Sequence, residues 1–206
     1  MTTTETRWWW VRHAPVQGPN HHIYGQRDLD ADTSNIAIFE ALARYLPTSA
    51  VLVSSDLART QQTADAIAAA GLALPKPILD PALREIHFGD WQGVRRDEFR
   101  SSRGEKHGQF WLASAGERAP NGESFLDLVA RVAPAIDRLT EDHAGRDIIC
   151  TAHGGTIKAA LSYTLGIDPE SALAFATDNC AVTRLDHHSE PGRGVWRAVT
   201  VNRTPL

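Results

Sequence analysis

Trp8-Trp9-Trp10-Val11-Arg12-His13-Ala14-Pro15 sets four large apolar residues in a row and then breaks into a guanidinium, an imidazole and a proline. A continuous apolar run of this length suits a strand buried on both faces, and Pro15 stops it because proline has no N–H to give a sheet. Arg12 and His13 therefore stand at a strand's carboxyl end. In an open parallel α/β sheet the ligand crevice lies outside those ends, where a small anion can be held. Far along the chain the arrangement recurs. Asp147-Ile148-Ile149-Cys150-Thr151-Ala152 is a second apolar run, and it delivers His153-Gly154-Gly155-Thr156 ahead of the helix-like Ile157-Lys158-Ala159-Ala160-Leu161.

At 206 residues and 42% hydrophobic content the chain can build one sizeable core and is short for two, so residues 1–206 are expected to form a single domain. A net charge of −4 and a pI near 6.1 argue against a phosphate-backbone footprint, which excludes nucleic acid as the expected partner. No run approaches the ~18 apolar residues that span a bilayer. Met1-Thr2-Thr3-Thr4-Glu5-Thr6 is polar and acidic rather than a basic leader, so a cytoplasmic location is expected. Cys150 and Cys180 lack the close spacing of a zinc site or a disulfide framework and read as small core residues.

Between these two strands the chain alternates helical and extended patterns. Gln17–Asp32 is a long polar loop, with Asn20, Tyr24 and Gly25 in it, and a loop of this length in a compact domain is more often functional than idle. His21 and His22 have no further ligand types at metal-binding spacing, so they read as surface or substrate-contact groups. Thr33 or Ser34 can cap a helix through Tyr45; Ala50–Val53 is a short strand; Ser55 or Asp56 can cap an alanine-rich helix to Gly71. Arg59 falls in the first turn of that helix, where the dipole favours negative charge, and an anion between it and the strand ends explains the choice. Pro75–Asp80 reads as an edge segment, and Glu85 follows it among apolar neighbours. Residues 94–121 turn polar and charged, with Phe99, Phe110, Trp111 and Leu112 as the large apolar residues, which suggests a helical excursion outside the core. Phe125 to Leu139 has amphipathic helix spacing around Pro134. Two closing strands are expected at Cys180–Asp186 and Val195–Val201, with a turn at His187–Gly192.

Arg12, His13, Arg59, Glu85 and His153 thus come from separate elements that all lead to one sheet edge. Two guanidinium forks match phosphate oxygens, a neutral imidazole can attack phosphorus, and a carboxylic acid can protonate the leaving oxygen. That set describes covalent phosphoryl transfer through a phosphohistidine. Val11-Arg12-His13, Ser54-Ser55-Asp56-Leu57-Ala58-Arg59-Thr60-Gln61-Gln62-Thr63-Ala64, Leu83-Arg84-Glu85-Ile86-His87-Phe88-Gly89-Asp90-Trp91-Gln92-Gly93 and Thr151-Ala152-His153-Gly154-Gly155 occur in that order, and together they resemble the histidine phosphatase (phosphoglycerate-mutase-like) superfamily. The resemblance runs over residues 8–185. It implies a three-layer α/β/α fold with a mostly parallel sheet, no metal and no organic cofactor. It also implies His13 as the phosphorylated nucleophile, Arg12, Arg59, His153 and Gly154 around the phosphoryl group, and Glu85 as proton donor. Asn20 is the rough match to the family's asparagine beyond the first motif, and with Tyr24 and Gly25 it is expected to contact substrate.

Ala14-Pro15-Val16 departs from the family's usual glycine, acidic or amide residue and threonine. Alanine's Cβ narrows the approach to that backbone, and Pro15 removes a donor, so an inherited substrate preference does not follow. The reading favoured by the short chain is a metal-independent phosphomonoesterase acting on a small phosphate ester. A phosphoglycerate-type mutase and a catalytically silent phospholigand-binding module are the alternatives.

Overall fold

The computed structural model describes residues 4–18, 21–104, 108, 110–190 and 193–205. Its strands are β1 (Thr4–Arg12), β2 (Ala50–Ser54), β3 (Ile78–Leu79), β4 (Asp147–Ala152), β5 (Val182–Glu190) and β6 (Arg193–Arg203). They form one sheet in the order β3-β2-β4-β1-β5-β6, with β3, β2, β4 and β1 parallel and β5 and β6 antiparallel. The helices are α1 (Ile36–Tyr45), α2 (Ala58–Ala69), α3 (Arg96–Arg103), α4 (Phe125–Asp142), α5 (Gly154–Leu165) and α6 (Pro169–Ala172).

The tryptophan run explains the layering. Side chains alternate across a strand, so Trp8 and Trp10 face one side and Trp9 and Val11 the other. Trp8 and Trp10, stacked at 4.8 Å, pack with residues of α4 and α5 such as Leu128, Ile136 and Ile157. Trp9 and Val11 pack with Ile38 and Leu42 of α1 and Ile67 of α2. Both faces of β1 are therefore covered, and the result is the expected α/β/α sandwich. Two of the three buried indole N–H groups find acceptors, Trp8 Nε1 on Thr140 Oγ1 at 3.0 Å and Trp9 Nε1 on Asp147 Oδ1 at 2.8 Å, while Trp10 Nε1 has none among the described residues. Cys150 and Cys180 are both buried thiols, as read from their context.

Several local expectations need correction. Asn35, not Thr33 or Ser34, precedes α1, and its side chain makes no capping bond. Leu57 precedes α2; Asp28 Oδ1, reaching across from the long loop, accepts from the N–H of Ala58 at 2.7 Å and does the work expected of Ser55 or Asp56. Asp56 is engaged by Arg84 through two bonds of 2.7 and 2.5 Å. Residues 94–121 are not wholly outside the core: among the described residues α3 is the helical part, and Phe99 and Leu112 are buried in the main cluster, while Phe110 is exposed. The closing hairpin is longer than its apolar pattern, because β5 continues through His187–Glu190 where a turn was expected, with Trp196 packing on His187 at 4.7 Å. α4 starts at a capping box formed by Ser124 and Asp127. No helix among the described residues is long and apolar enough to cross a membrane.

Candidate active site

Parallel pairing puts the ends of β1, β2 and β4 at one edge, and the register does the fine placement. Arg12 lies opposite Ala152, so the next residue of each strand, His13 and His153, emerge side by side. Their ring centroids are 5.2 Å apart, and the N–H of His13 extends the ladder to Ala152 O at 2.9 Å. His13 is 1% exposed and His153 fully buried. The ring of His13 is oriented by its own neighbourhood: Nδ1 lies 2.6 Å from Ala14 O, which makes Nδ1 the protonated nitrogen and leaves Nε2 with its lone pair. Ala14 N is in turn held by Thr63 Oγ1 of α2 at 2.8 Å, and Asn179 Nδ2 donates to His13 O at 2.7 Å.

Arg59 reaches the same point from the first turn of α2. It is fully buried, and it donates through Nη2 to Gly25 O at 2.8 Å and through Nη1 to Arg27 O at 2.9 Å, beneath the ring of Tyr24 at 5.2 Å. Tyr24 also stands edge-on to His13 at 6.4 Å. Gly25 has φ +48, and a Cβ there would meet Gln92 Oε1 at 2.3 Å and Ile86 O at 2.9 Å, so this turn accepts glycine alone. Arg12 is tied by Nη1 to Thr177 O at 2.5 Å. Four buried nitrogens, Arg12 Nε, Arg59 Nε and both ring nitrogens of His153, have no hydrogen-bond partner among the described residues. Buried polar groups in that condition are costly unless a polar ligand completes them.

Burial, then Arg59, then Arg12 hold the pKa of His13 well below 6.5; the bond to Ala14 O opposes them. Burial and Arg59 do the same to His153, assisted by His13, Arg12 and Arg131. Both rings are therefore neutral at neutral pH. A neutral His13 is a nucleophile, and cations around it favour whatever negative charge arrives.

Glu85, 8% exposed, comes from an irregular segment and leans on the start of α5, accepting from Ile86 N at 2.9 Å and Gly155 N at 3.2 Å. A Cβ on residue 155 would sit 2.3 Å from Glu85 Oε1, so glycine is required for this approach. Gly154 opens α5 and lines the cleft beside Arg12. Asn20 lies outside the described residues. The structure thus brings together Arg12, His13, Arg59, Glu85, His153, Gly154, Tyr24 and Gly25; of these Arg12, Tyr24, Gly25, Glu85 and Gly154 line an open cleft of about 1220 Å³, whereas His13, Arg59 and His153 are buried.

Two features of the cleft were not singled out from sequence. Lys158 is 5% exposed, one turn into α5, with Nζ on Leu173 O at 2.6 Å and over the Trp111 ring at 5.0 Å; burial pushes it down to about 8 against the pull of Glu85. Arg96 and Arg100, four apart on α3, line the mouth of the cleft. The segment 177–179 braces the end of β1, through Thr177 O on Arg12 and Asn179 Nδ2 on His13 O. A metal has one candidate group among the described residues, Glu5, Asp186 and His188. It lies at the opposite end of β1, and Arg7 and Arg184 already occupy its carboxylates.

Comparison with known proteins bears on the family and the fold. A family model for the histidine phosphatase superfamily (branch 1) matches residues 8–203. A probable phosphoglycerate mutase of Yersinia enterocolitica is 30% identical over 185 residues, covering 88% of this chain and 85% of that protein. The native structure of a mycobacterial glucosyl-3-phosphoglycerate phosphatase superposes with a TM-score of 0.80 at 26% identity, over 97% of this chain and 99% of the other. The same phosphatase in complex with inorganic phosphate gives 0.76 at 26% identity, again over 97% and 99%.

Proposed function

This chain belongs to the histidine phosphatase superfamily, and from that premise we propose that it hydrolyses small phosphate monoesters through a phosphohistidine on His13, with Glu85 as proton donor. The observation that carries the reading is the set of four unpartnered buried nitrogens around an imidazole whose tautomer Ala14 O selects. In the first step Nε2 of His13 forms a bond to phosphorus as the P–O bond to the alcohol breaks. The leaving oxygen takes its proton from Glu85. Arg12, Arg59 and His153 stabilise charge on the three equatorial oxygens. In the second step water attacks phosphorus, Glu85 receives the water's proton, and the P–N bond breaks to return neutral His13 and inorganic phosphate. No step calls on a metal.

A mutase would instead return the phosphoryl group to a substrate hydroxyl, and the identity to a probable phosphoglycerate mutase favours keeping that reading in the test. The open cleft supports water as the acceptor. Aryl phosphate hydrolysis in the presence of chelator, compared with His13→Ala, is the experiment. Chelator-insensitive turnover lost in His13→Ala is the expected result. Negligible hydrolysis with phosphoryl exchange on 3-phosphoglycerate would replace it with the mutase, and neither activity would leave a binding module.

A further inference from the structure

Glu85 has to meet a leaving oxygen to within a few tenths of an ångström, yet it belongs to no helix or strand. It sits between two single 3-10 turns, Pro81–Leu83 and Gly89–Trp91. Main chain of that kind has no ladder and holds position largely through the side chains that reach it, Thr156 Oγ1 among them at 3.0 Å from Arg84 O.

One side chain reaches most of it. Arg131, on α4, has five N–H groups, and five acceptors meet them. Nε and Nη2 grip Glu123 Oε1 and Oε2 at 2.7 and 2.9 Å. Nη1 donates to Ala82 O at 2.8 Å and Arg84 O at 3.1 Å, and Nη2 to Glu85 O at 3.2 Å. The carboxylate it grips closes the loop from the other side, because Glu123 Oε2 accepts from His87 N at 2.8 Å and Glu123 N donates to His87 O at 2.7 Å. The segment 82–87 is thus bonded on both flanks of Glu85 by a single ion pair. Both partners are about four-fifths buried, with side-chain exposures of 23% and 20%. Burial pushes the Glu123 carboxyl up, but Arg131 and the His87 N–H bring it below its ordinary range, so the pair is charged at neutral pH.

Neither residue lines the phosphate cleft. Arg131 and Glu123 face a separate shallow groove with Gln26, Arg84 and His87, on the other side of the segment that carries Glu85. We propose that the Arg131–Glu123 pair is the positioning device of the proton donor: it fixes the main chain at 82–87 so that the Glu85 carboxyl stands at the leaving oxygen, without touching substrate itself. The inference rests on the proton-donor role of Glu85 argued above.

The test uses the leaving group. A poor alkoxide leaving group needs the proton in the transition state, whereas a nitrophenolate needs little of it. In Arg131→Met, kcat/KM for an alkyl phosphate is expected to fall about 100-fold, the cost of an ångström-scale misplacement. For p-nitrophenyl phosphate the same variant should lose no more than about threefold. Inhibition by inorganic phosphate should be unchanged, since Arg12 and Arg59 are untouched. Arg131→Lys should restore little, because an ammonium cannot span a carboxylate and three carbonyls. Glu123→Gln keeps the shape and removes the charge, and it should show the same selectivity at smaller amplitude even if Arg131→Met does not fold. Equal losses on both esters in the folded variants, or no loss on either, would overturn the positioning role. Glu85→Gln run alongside separates the two claims: if it fails to discriminate between the esters, the donor assignment itself is wrong, and if it discriminates while the Arg131 and Glu123 variants do not, only the positioning inference falls.

Discussion

The two histidines and the glutamate of this site are held in place by different physics. His13 and His153 are the next residues after paired strands, so the backbone ladder between β1 and β4 sets their separation, and the tryptophan layers below keep the ladder rigid. Glu85 hangs on a segment without a ladder, and its place depends on Arg131, Glu123 and Gln26, whose Nε2 donates to Glu85 O at 2.9 Å. A strand end rests first on main-chain bonds, with Asn179 on His13 O and Thr63 on Ala14 N as additional side-chain supports. A loop braced by side chains has no such ladder beneath it. The half of the site around His13 should therefore be the less sensitive to remote substitution, and the half around Glu85 the more sensitive.

The sharpest break of that contrast is His13→Ala. Removing a nucleophile costs on the order of 10⁴-fold or more in kcat, irrespective of leaving group. Steady-state assays with both alkyl and aryl esters check it, and retained turnover on either would remove His13 from the covalent role. Next comes Glu85→Gln, expected to lower kcat/KM for alkyl esters by about 10²- to 10⁴-fold with a much smaller effect on aryl esters. A uniform loss would argue for a phosphate-binding role instead.

The pH behaviour distinguishes the halves more gently. With the pKa of His13 and His153 held well below 6.5 by burial and Arg59, the nucleophile stays unprotonated in mild acid. The acid limb of kcat/KM should accordingly lie below pH 6.5. The same shifts make the unfolded state bind more protons in acid, so stability is full above about pH 6.5 and declines as pH falls below it. Thermal unfolding from pH 7.5 to 5 checks this; a melting temperature that holds steady or rises toward pH 5 would contradict the burial of neutral rings.

Lys158 carries the smallest effect and the opposite end of the scale. Its proton is lost at about 8 in the fold and near 10.5 in the unfolded chain, so its contribution to stability grows as pH rises between those values. Lys158→Met should flatten that rise in melting temperature, and an unchanged slope would mean the ammonium is better solvated than its 5% exposure indicates.

How much of this was legible in the sequence follows the same division. Trp8–Val11 and Ile148–Ala152 announce strands, and a polar residue after each announces an edge, so the arrival of His13 and His153 at one sheet edge could be read, while the three layers came from the family resemblance and the direct pairing of the two strands came from the fold. Arg59 was readable because a cation in a helix's first turn conflicts with the dipole. Glu85 came from its motif. The bracing of Glu85 was not readable, because Arg131 looks like any polar position on an amphipathic helix until the fold brings Glu123 and three carbonyls to it. Lys158 was hidden for the converse reason, a charged residue on a helix that proves buried on nearly every side. The cap of α2 from Asp28 and the extension of β5 past Asp186 are tertiary effects of the same sort.

The central claim is that phosphorus passes through His13. Rapid mixing with substrate, quenching under alkaline conditions where a phosphohistidine survives, and peptide mass spectrometry measure it directly. The account predicts one phosphoryl group on the peptide containing His13, absent when the quench is acidified and enriched in Glu85→Gln given an aryl ester. A phosphoryl group on another residue, or turnover with no phosphoenzyme at any quench time, would contradict it.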